Sequence, residues 1–417
     1  MEKSKSNYGK FLLLWSGELI SSVGGGLTSF GLGVYVFRET GSAAGMALVS
    51  LLAFLPTLLL SVPAGVLADR YDRRFLMMLG DGLSGLGILF ILICMLNGGA
   101  SLAQICIGVF VSSVFSALLE PSYRATVTDI LSKEEYSKAS GMVSLAGSAR
   151  YLLSPLIAGL LLAVYDIKLL LVIDICTFII TVITTGIVKH GLAAKPVETS
   201  DSFVKSFKDG WNAITEKKGL FVIIIVSSVM TCFMGTFQIL AEPMILDFAD
   251  SRTLGIAETI CACGMLVSGL YLGVRGIKKN YVKTLCLALL FAGVFMSLFG
   301  IKENVFVMST FGFMFFMALP FANNCLDYLA RTNIPEEKQG RAWGLIGFLS
   351  QIGYVAAYGF SGLVSDFVAA KTGIGVGRGA AWVVIVSGVL LVVTSVALYT
   401  FKSVRALEPE VKNEYAS

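Results

Sequence analysis

Twelve stretches of mostly apolar residues, each about twenty or more long and joined by short polar linkers, fill almost the whole of this 417-residue chain. They run over about 11–37, 43–67, 75–96, 102–123, 140–165, 168–189, 219–246, 254–274, 282–300, 304–328, 342–368 and 380–401. A helix of that length crosses a hydrocarbon layer about 30 Å thick. Inside such a layer every backbone N–H and C=O needs a partner within the segment, and a helix supplies it. The pattern predicts an all-α membrane protein with twelve transmembrane helices. The supply of charge excludes a soluble alternative. Only 14% of residues are charged and 56% are hydrophobic, whereas soluble proteins use about 25% charged residues.

Lys3, Lys5 and Lys10 precede the first run in the manner of a secretion signal. That run continues from Phe11 to about Phe37, beyond the roughly 7–15 apolar residues of a signal core, so it is expected to stay as the first span. The longest linker, 190–218, divides the chain into two six-span halves, 1–189 and 219–417. Within it Phe203, Phe207, Trp211 and Ile214 recur at helical spacing beside Lys205, Lys208, Lys217 and Lys218. This is the pattern either of an amphipathic helix at the membrane surface or of a linker helix packed on the protein.

Lysine and arginine sort to alternate linkers. Arg70, Arg73 and Arg74 follow span 2, and Arg124, Lys133 and Lys138 follow span 4. The central linker, the loops after spans 8 and 10 and both tails are basic as well, while the intervening loops hold only Arg38, Lys168, Arg252, Lys302, Lys371 and Arg378. By the positive-inside rule both termini are cytoplasmic.

The halves also resemble each other. Lys133-Glu134-Glu135 and Ala139-Ser140-Gly141 between spans 4 and 5 correspond to Pro335-Glu336-Glu337 and Ala342-Trp343-Gly344 between spans 10 and 11. Gly65-Val66 and its basic turn correspond to Gly273-Val274-Arg275. A parallel repeat is one way transporters build a central site between two pseudo-symmetric halves.

Several chemistries drop out. All eight cysteines lie inside apolar runs, Cys261 and Cys263 form C-x-C, and His190 is the sole histidine, so neither a metal nor a redox site is expected. The alternating Gly373, Gly375, Gly377 and Gly379 are placed in an external loop with no strand before them, which excludes a dinucleotide fingerprint. No phosphate-binding G-x-x-x-x-G-K-[ST] run exists, so ATP hydrolysis is not the energy source. No cofactor is called for, the chain is not read as an enzyme, and its net charge of +4 gives no reason to expect nucleic acid. The crowded Phe311, Phe313, Phe315, Phe316 and Phe321 of span 10 are read first as helix packing.

The most informative short run is Gly65-Val66-Leu67-Ala68-Asp69-Arg70-Tyr71-Asp72-Arg73-Arg74. Topology accounts for its arginines but not for Gly65 and Asp69 at this spacing. A glycine admits close helix approach, and an acid among several bases can form ion pairs that differ between two conformations. The run resembles the G-x-L-a-D-r-x-G-r-r motif of the major facilitator superfamily, with Asp72 where the family has its second glycine. The resemblance implies a conformational latch between the halves, built from Gly65, Asp69, Arg70 and Arg73, with Asp129 at the end of span 4 as the partner of Arg73.

Within the superfamily the chain resembles the macrolide-efflux branch almost end to end. Thr40-Gly41-Ser42-Ala43, Phe54-Leu55-Pro56, Ser154-Pro155, Ile173-Asp174, Gly264-Met265-Leu266 and Gly340-Arg341 carry that likeness beside the motif. It implies export of a small amphipathic, drug-like or macrolide-like compound across a bacterial inner membrane by proton antiport and alternating access, the chain acting as a monomer. Siderophore exporters, uncoupled facilitators and lipid flippases share the fold and remain as alternatives.

Acids inside spans are costly, about 2.5–3.5 kcal/mol each at the bilayer centre, and therefore candidates for function. Glu18 in span 1 and Glu242 in span 7 lead, because the resemblance places these spans on the central cavity. Asp174 and Glu258 lie toward the outer side of spans 6 and 8, and Arg150 is the one base inside a span. For each, pairing with a neighbouring span is the competing reading. Asp81 lies a turn or two into span 3, and Glu120 and Asp327 are read as ion-pair or capping groups at cytoplasmic span ends. Glu18 and Glu242 depart from the macrolide-efflux pattern, which has an amide and an apolar residue there, and so turn the expected cargo toward other compounds, cations among them. Ser154-Pro155-Leu156-Ile157-Ala158-Gly159 loosely resembles the span-5 antiporter motif G-P-x-x-G-G. Pro155 and Gly159 are its matching residues, the proline bending the helix and the small residues allowing close packing.

Overall fold

A computed structural model of the chain describes residues 7–132, 135–189 and 203–408. Among these, twelve helices are long and apolar enough to cross a membrane. The first half holds α1 (Tyr8–Thr40), α2 (Ala43–Arg70), α3 (Arg73–Leu96), α4 (Leu102–Ser116), α5 (Leu119–Ile130), α6 (Tyr136–Leu162) and α7 (Ile167–Lys189). There follow α8 (Phe203–Thr215), α9 (Lys218–Leu246), α10 (Ser251–Arg275), α11 (Tyr281–Phe299), α12 (Val305–Asn333), α13 (Gln339–Thr372), α14 (Val376–Thr400) and the short α15 (Lys402–Arg405). No strand occurs among the described residues.

The helices run past the apolar stretches because polar caps, not hydropathy, end them. Ser42 accepts from the N–H of Gly45 at 3.0 Å to start α2, and Gly41, at φ 59°, closes α1 with its N–H on the Phe37 carbonyl. The fourth span differs most from expectation. It reaches Ile130 instead of about residue 123 and is interrupted at Ala117–Leu118. Pro121 has no N–H for the carbonyl of Ala117, and its ring opposes a straight helix there. Gly377 and Gly379 also lie on α14 and not in a loop. A Cβ at Gly379 would stand 2.7 Å from the Ser365 carbonyl, so the glycine lets α14 start directly against α13.

The chain forms two compact units, Met1–Thr199 with Ile245–Thr259, and Ser200–Met244 with Ile260–Ser417. The first unit thus takes in the start of α10 beyond the expected boundary at 189. Backbone contact explains this: a Cβ at Gly159 of α6 would meet the Ser251 carbonyl at 2.6 Å, and one at Gly255 would meet the Pro155 carbonyl. Thr259 adds a hydrogen bond to the Leu152 carbonyl at 3.2 Å, and Arg38 donates to Ser251 at 3.4 Å.

Each unit repeats one internal plan. In the first, α3 packs on α4 and α7, and α1 on α6; in the second, α11 packs on α12 and α14. The α9–α13 seam is polar, with Ser227 and Ser350 hydroxyls 3.0 Å apart and Thr231 donating to the Ser350 carbonyl at 2.5 Å. Apolar side chains drive little helix association in lipid, so seams of small residues and interhelical hydrogen bonds fix the pairs. Gly293 and Gly388 show the close limit, a Cβ on either falling 2.5–2.6 Å from the other's carbonyl.

From the expected central linker, α8 lays Ala213 and Ile214, both buried, toward α13, while Trp211 meets the edge of Phe221 at 6.1 Å. The side chains of Phe203, Lys205 and Phe207, the segment 190–202 with His190, and Lys133-Glu134 lie outside the described residues.

Candidate functional site

The α2–α3 turn is built around Arg73. Its guanidinium donates to Asp129 at 2.8 Å, to the Ala125 carbonyl at 3.3 Å and to the Ala68 carbonyl at 3.1 Å, and lies 3.7 Å from Asp69. One side chain thereby ties the end of α2 to α5. Asp72, where a glycine was expected, caps α3: its carboxylate accepts from the N–H groups of Arg74 at 3.0 Å and Phe75 at 3.4 Å. It also pairs with Lys189 at the end of α7, 3.8 Å away. Arg70 is exposed on the last turn of α2, and a Cβ at Gly65 would meet nothing within 4 Å among the described residues. The close helix approach expected at Gly65 is not made here. Glu120 pairs with Arg124 at 2.8 Å on the exposed face of α5.

Deeper in the first unit, α1 lies against α7 through glycines spaced seven apart. A Cβ at Gly17 would meet Thr184 and Thr181, one at Gly24 would meet Thr177 and Asp174, and one at Gly31 would meet Leu170 and Ile167. The two helices are therefore antiparallel, and bare α1 backbone covers a polar stripe of α7. That stripe comprises Asp174, Thr177, Thr181 and Thr185, all buried, at steps of three and four residues along one helix face. Thr177 donates to the Asp174 carbonyl at 2.7 Å and lies 3.4 Å from its Oδ1.

Glu18 follows Gly17 and so sits, half-buried, at the level of Thr181 and Thr184. Arg150 of α6 lays its stem on Gly26, one turn from Ser154, whose hydroxyl donates to the Val23 carbonyl at 3.0 Å. Its guanidinium acts electrostatically on both Glu18 and Asp174. Glu18, half-buried, Asp174, buried, and Arg150, exposed, thus stand on adjoining helices of one unit.

Two groups escaped the sequence reading as members of this site. Asp81 of α3 is buried and faces α7, since Met78 lies against Gly186 and Phe178 against Gly85 on either side of it. The threonines themselves went unremarked, although their spacing after Asp174 was the available signal. Toward the α2–α3 turn, Phe11, Leu14, Met77, Tyr123, Val127 and Val188 form an apolar layer over the cluster.

The remaining residues stand elsewhere. Glu258 lies on the part of α10 that joins the first unit, one residue before Thr259, with Pro155 and Gly159 forming the packing surface for that segment. Pro155 and Gly159 thus meet the backbone of α10. Glu242 belongs to the second unit, half-buried on α9 one turn beyond Gln238, whose amide oxygen accepts from the Tyr358 hydroxyl at 3.2 Å. Phe237, Phe299, Phe315 and Phe316 stack as core, with Phe237 and Phe315 centroids 4.6 Å apart. No cluster of histidine, cysteine and carboxylates able to hold a metal occurs among the described residues.

Twelve spans, a duplicated plan and ionisable groups enclosed in apolar helices define a polytopic secondary transporter. Residues 14–358 match the family model of the Major Facilitator Superfamily, and the chain belongs to that superfamily. It is 24% identical over 371 residues to macrolide efflux protein A of Streptococcus pyogenes, covering 88% of this chain and 92% of that protein. It is 21% identical over 356 residues to the multidrug efflux pump Tap of Mycolicibacterium fortuitum, covering 82% and 86%. In fold it resembles the crystal structure of a bacterial homologue of the iron transporter ferroportin in its inward-facing state. The TM-score is 0.74 at 16% identity, over 94% of this chain and 99% of that one. The chain is a multi-pass membrane transporter with efflux proteins among its relatives, and not an enzyme.

Proposed function

We propose that this protein exports a small amphipathic compound from the bacterial cytoplasm by proton antiport, its two six-helix halves alternating access as a monomer in the inner membrane. The observation that carries the reading is the polar seam of α1 on α7, where Asp174 is buried beside Gly24, Glu18 is half-buried at the level of Thr181, and the exposed Arg150 of α6 lays its stem on Gly26. A carboxyl that gives up its proton on one side and takes one on the other couples the gradient to a conformational cycle. The driving force is roughly 2.3 kcal/mol per charge per 100 mV, to which a pH gradient adds. Glu242 and Glu258, each within its own unit, are further candidates for proton coupling or cargo binding, where a carboxylate favours a compound with a cationic centre. The Asp69–Arg73–Asp129 group is assigned to the latch, and both termini to the cytoplasm, as the basic loops require. The macrolide and multidrug pumps related to this chain support export over uptake.

The test uses everted membrane vesicles with erythromycin, ethidium and a catecholate siderophore as cargo probes. Wild type should accumulate one of them, lose accumulation when nigericin and valinomycin in potassium medium collapse both the pH gradient and the membrane potential, and lose it again with Glu18→Gln at normal membrane levels. Accumulation that survives both ionophores overturns antiport, and normal accumulation by Glu18→Gln overturns the assignment of Glu18. Asp69→Asn should slow turnover while leaving cargo affinity unchanged, and unchanged turnover would count against the latch.

A further inference from the structure

In the second unit the paired helices α11 and α14 end in a group of cations that no acid on either helix answers. Backbone contacts fix the register of the pair. Gly293 and Gly388 meet at close range, Ser395 donates to the Cys286 carbonyl at 2.6 Å, and a Cβ at Gly300 would stand 2.9 Å from the Ala381 carbonyl. The helices are therefore antiparallel. Continued past Cys286, the same register sets Lys283 level with Leu398 and Lys279 level with Lys402. Both lysines are exposed, and so are Lys402, Arg405 and the rings of Tyr399 and Phe401.

These cations are mounted on fixed backbone. After α14, Val404 and Leu407 are buried, the Ser403 carbonyl lies against Gly219 of α9, and the Asn333 amide donates to the Leu407 carbonyl at 3.0 Å. That leaves Lys402 and Arg405 pointing outward, with the Arg405 guanidinium 5.9 Å from the centre of the Tyr399 ring. Before α11, Asn280 turns the chain in the left-handed region at φ 59°. The Tyr281 hydroxyl donates to the Ile277 carbonyl at 2.5 Å, and its ring stacks on Tyr328 at 3.6 Å. The turn that carries Lys279 is thus held at both ends.

The charge is not balanced within the protein. Neither 272–302 nor 367–407 contains an aspartate or glutamate, and none of the four cations makes an ion pair among the described residues. The carboxylate that comes closest in the chain, Glu408, accepts from the N–H groups of Tyr281 and Val282. The duplicated plan offers a comparison. At the corresponding end of α3 and α7, Lys189 lies 5.1 Å from the centre of the Phe75 ring and 3.8 Å from Asp72, the residue that caps α3. The residue before α11 is Asn280, which carries no charge. The second unit repeats the cation and the ring without the acid.

We propose that this end of the α11–α14 pair binds one anionic phospholipid of the leaflet it meets, the phosphodiester lying among Lys279, Lys283, Lys402 and Arg405. With the basic loops cytoplasmic, that is the inner leaflet. Cations at a helix end, flanked by rings that sit at headgroup depth, are the chemistry by which membrane helices hold such headgroups. The surface beneath selects a lipid over a soluble phosphate. Exposed apolar side chains begin one turn below Lys283 at Leu287 and one turn below Tyr399 at Val396, and they continue along both helices through Phe291 and Val393. The acyl chains lie there, and the lipid supplies the negative charge that Asp72 supplies in the first unit.

Full-length protein in detergent is titrated with phosphatidylglycerol or with phosphatidylcholine, and retained lipid is counted by native mass spectrometry. Wild type should retain one phosphatidylglycerol at concentrations where phosphatidylcholine is lost. Each cation near a headgroup strengthens binding about fivefold, so Lys283→Gln/Arg405→Gln should weaken retention about 25-fold. Lys302→Gln/Lys371→Gln removes two exposed lysines at the opposite end of the pair and should leave retention unchanged. Asn280→Asp, which copies the acid of the first unit, should weaken it about fivefold. All the substituted side chains are exposed, so the variants keep the fold. Equal retention of the two lipids, or a Lys283→Gln/Arg405→Gln variant that binds as wild type or no worse than Lys302→Gln/Lys371→Gln, overturns the site. Displacement of the lipid by an equal concentration of glycerol phosphate would identify a site for soluble anions and overturns the assignment to lipid.

Discussion

Removing Asp129 tests whether the α2–α3 turn is held by one ion pair or by its helices alone. Arg73 and Asp129 are each 19% exposed and 2.8 Å apart, well inside the range of a charge-assisted hydrogen bond. A hydrogen bond to a charged group contributes about 1.5–3 kcal/mol net, against about 0–1 kcal/mol for a fully exposed pair. Partial burial places this one near the lower end of the first range. In Asp129→Ala, Arg73 keeps the carbonyls of Ala125 and Ala68, so the loss is limited to the pair. Arg73→Ala removes all three bonds and should cost more. For a unit of this size each kcal/mol shifts the melting temperature by about 2–4 °C, so Asp129→Ala should melt about 3–8 °C below wild type.

A thiol-reactive dye suits the assay, because Cys106, Cys261, Cys286 and Cys325 are buried until the fold opens. The double variant Arg73→Ala/Asp129→Ala should show a coupling of about 1 kcal/mol or more, the signature of direct contact. Additivity to within about 0.3–0.5 kcal/mol would refute the reasoning, because residues that do not interact behave in that way.

Gly388→Leu should abolish a monodisperse peak on size exclusion, its side chain having to displace the Gly293 carbonyl, whereas Gly347→Ala, with nothing within 4 Å among the described residues, should run as wild type. Glu408 accepts from the N–H groups of Tyr281 at 2.5 Å and Val282 at 2.9 Å and so caps α11 from the far end of the chain. Glu408→Ala should destabilise by about 1 kcal/mol in the same dye assay. Asp250 accepts from the Thr253 N–H at 2.8 Å, and its contacts with Thr253 hold its carboxyl below the usual value. A lowered folded value means stability present above the ordinary carboxylate range, near 3.9, and lost as pH falls through the folded one. Asp250→Ala should therefore melt below wild type at neutral pH, and the difference should close in strong acid.

How far the sequence reached depends on what each feature has to satisfy. Spans are dictated by the solvent, and the twelve helices appear where apolar runs stand, because lipid leaves no other backbone arrangement. Their ends were less legible, since Ser42 and Asp72 start helices by side-chain bonds that hydropathy does not weigh. Asp72 shows how a departure from a motif is read physically: the carboxylate caps α3 and pairs with Lys189, so the turn forms without the glycine.

The candidate site was half legible. Glu18, Asp174 and Arg150 announce themselves as charges in apolar runs, but which charges meet is decided by helix register. The glycines Gly17, Gly24 and Gly31 set that register for α1 on α7, and nothing in a one-dimensional list distinguishes them from the chain's other glycines. Asp81 illustrates the consequence. From its position in span 3 it was one more acid near a membrane face, whereas the α3–α7 contact puts it level with Glu18 and beneath the apolar layer of Phe11, Leu14 and Met77. An acid at the rim keeps its water, and one beneath that layer has to find its partners among side chains. Depth along α7 therefore separates the carboxyls of this half by their surroundings, where composition does not.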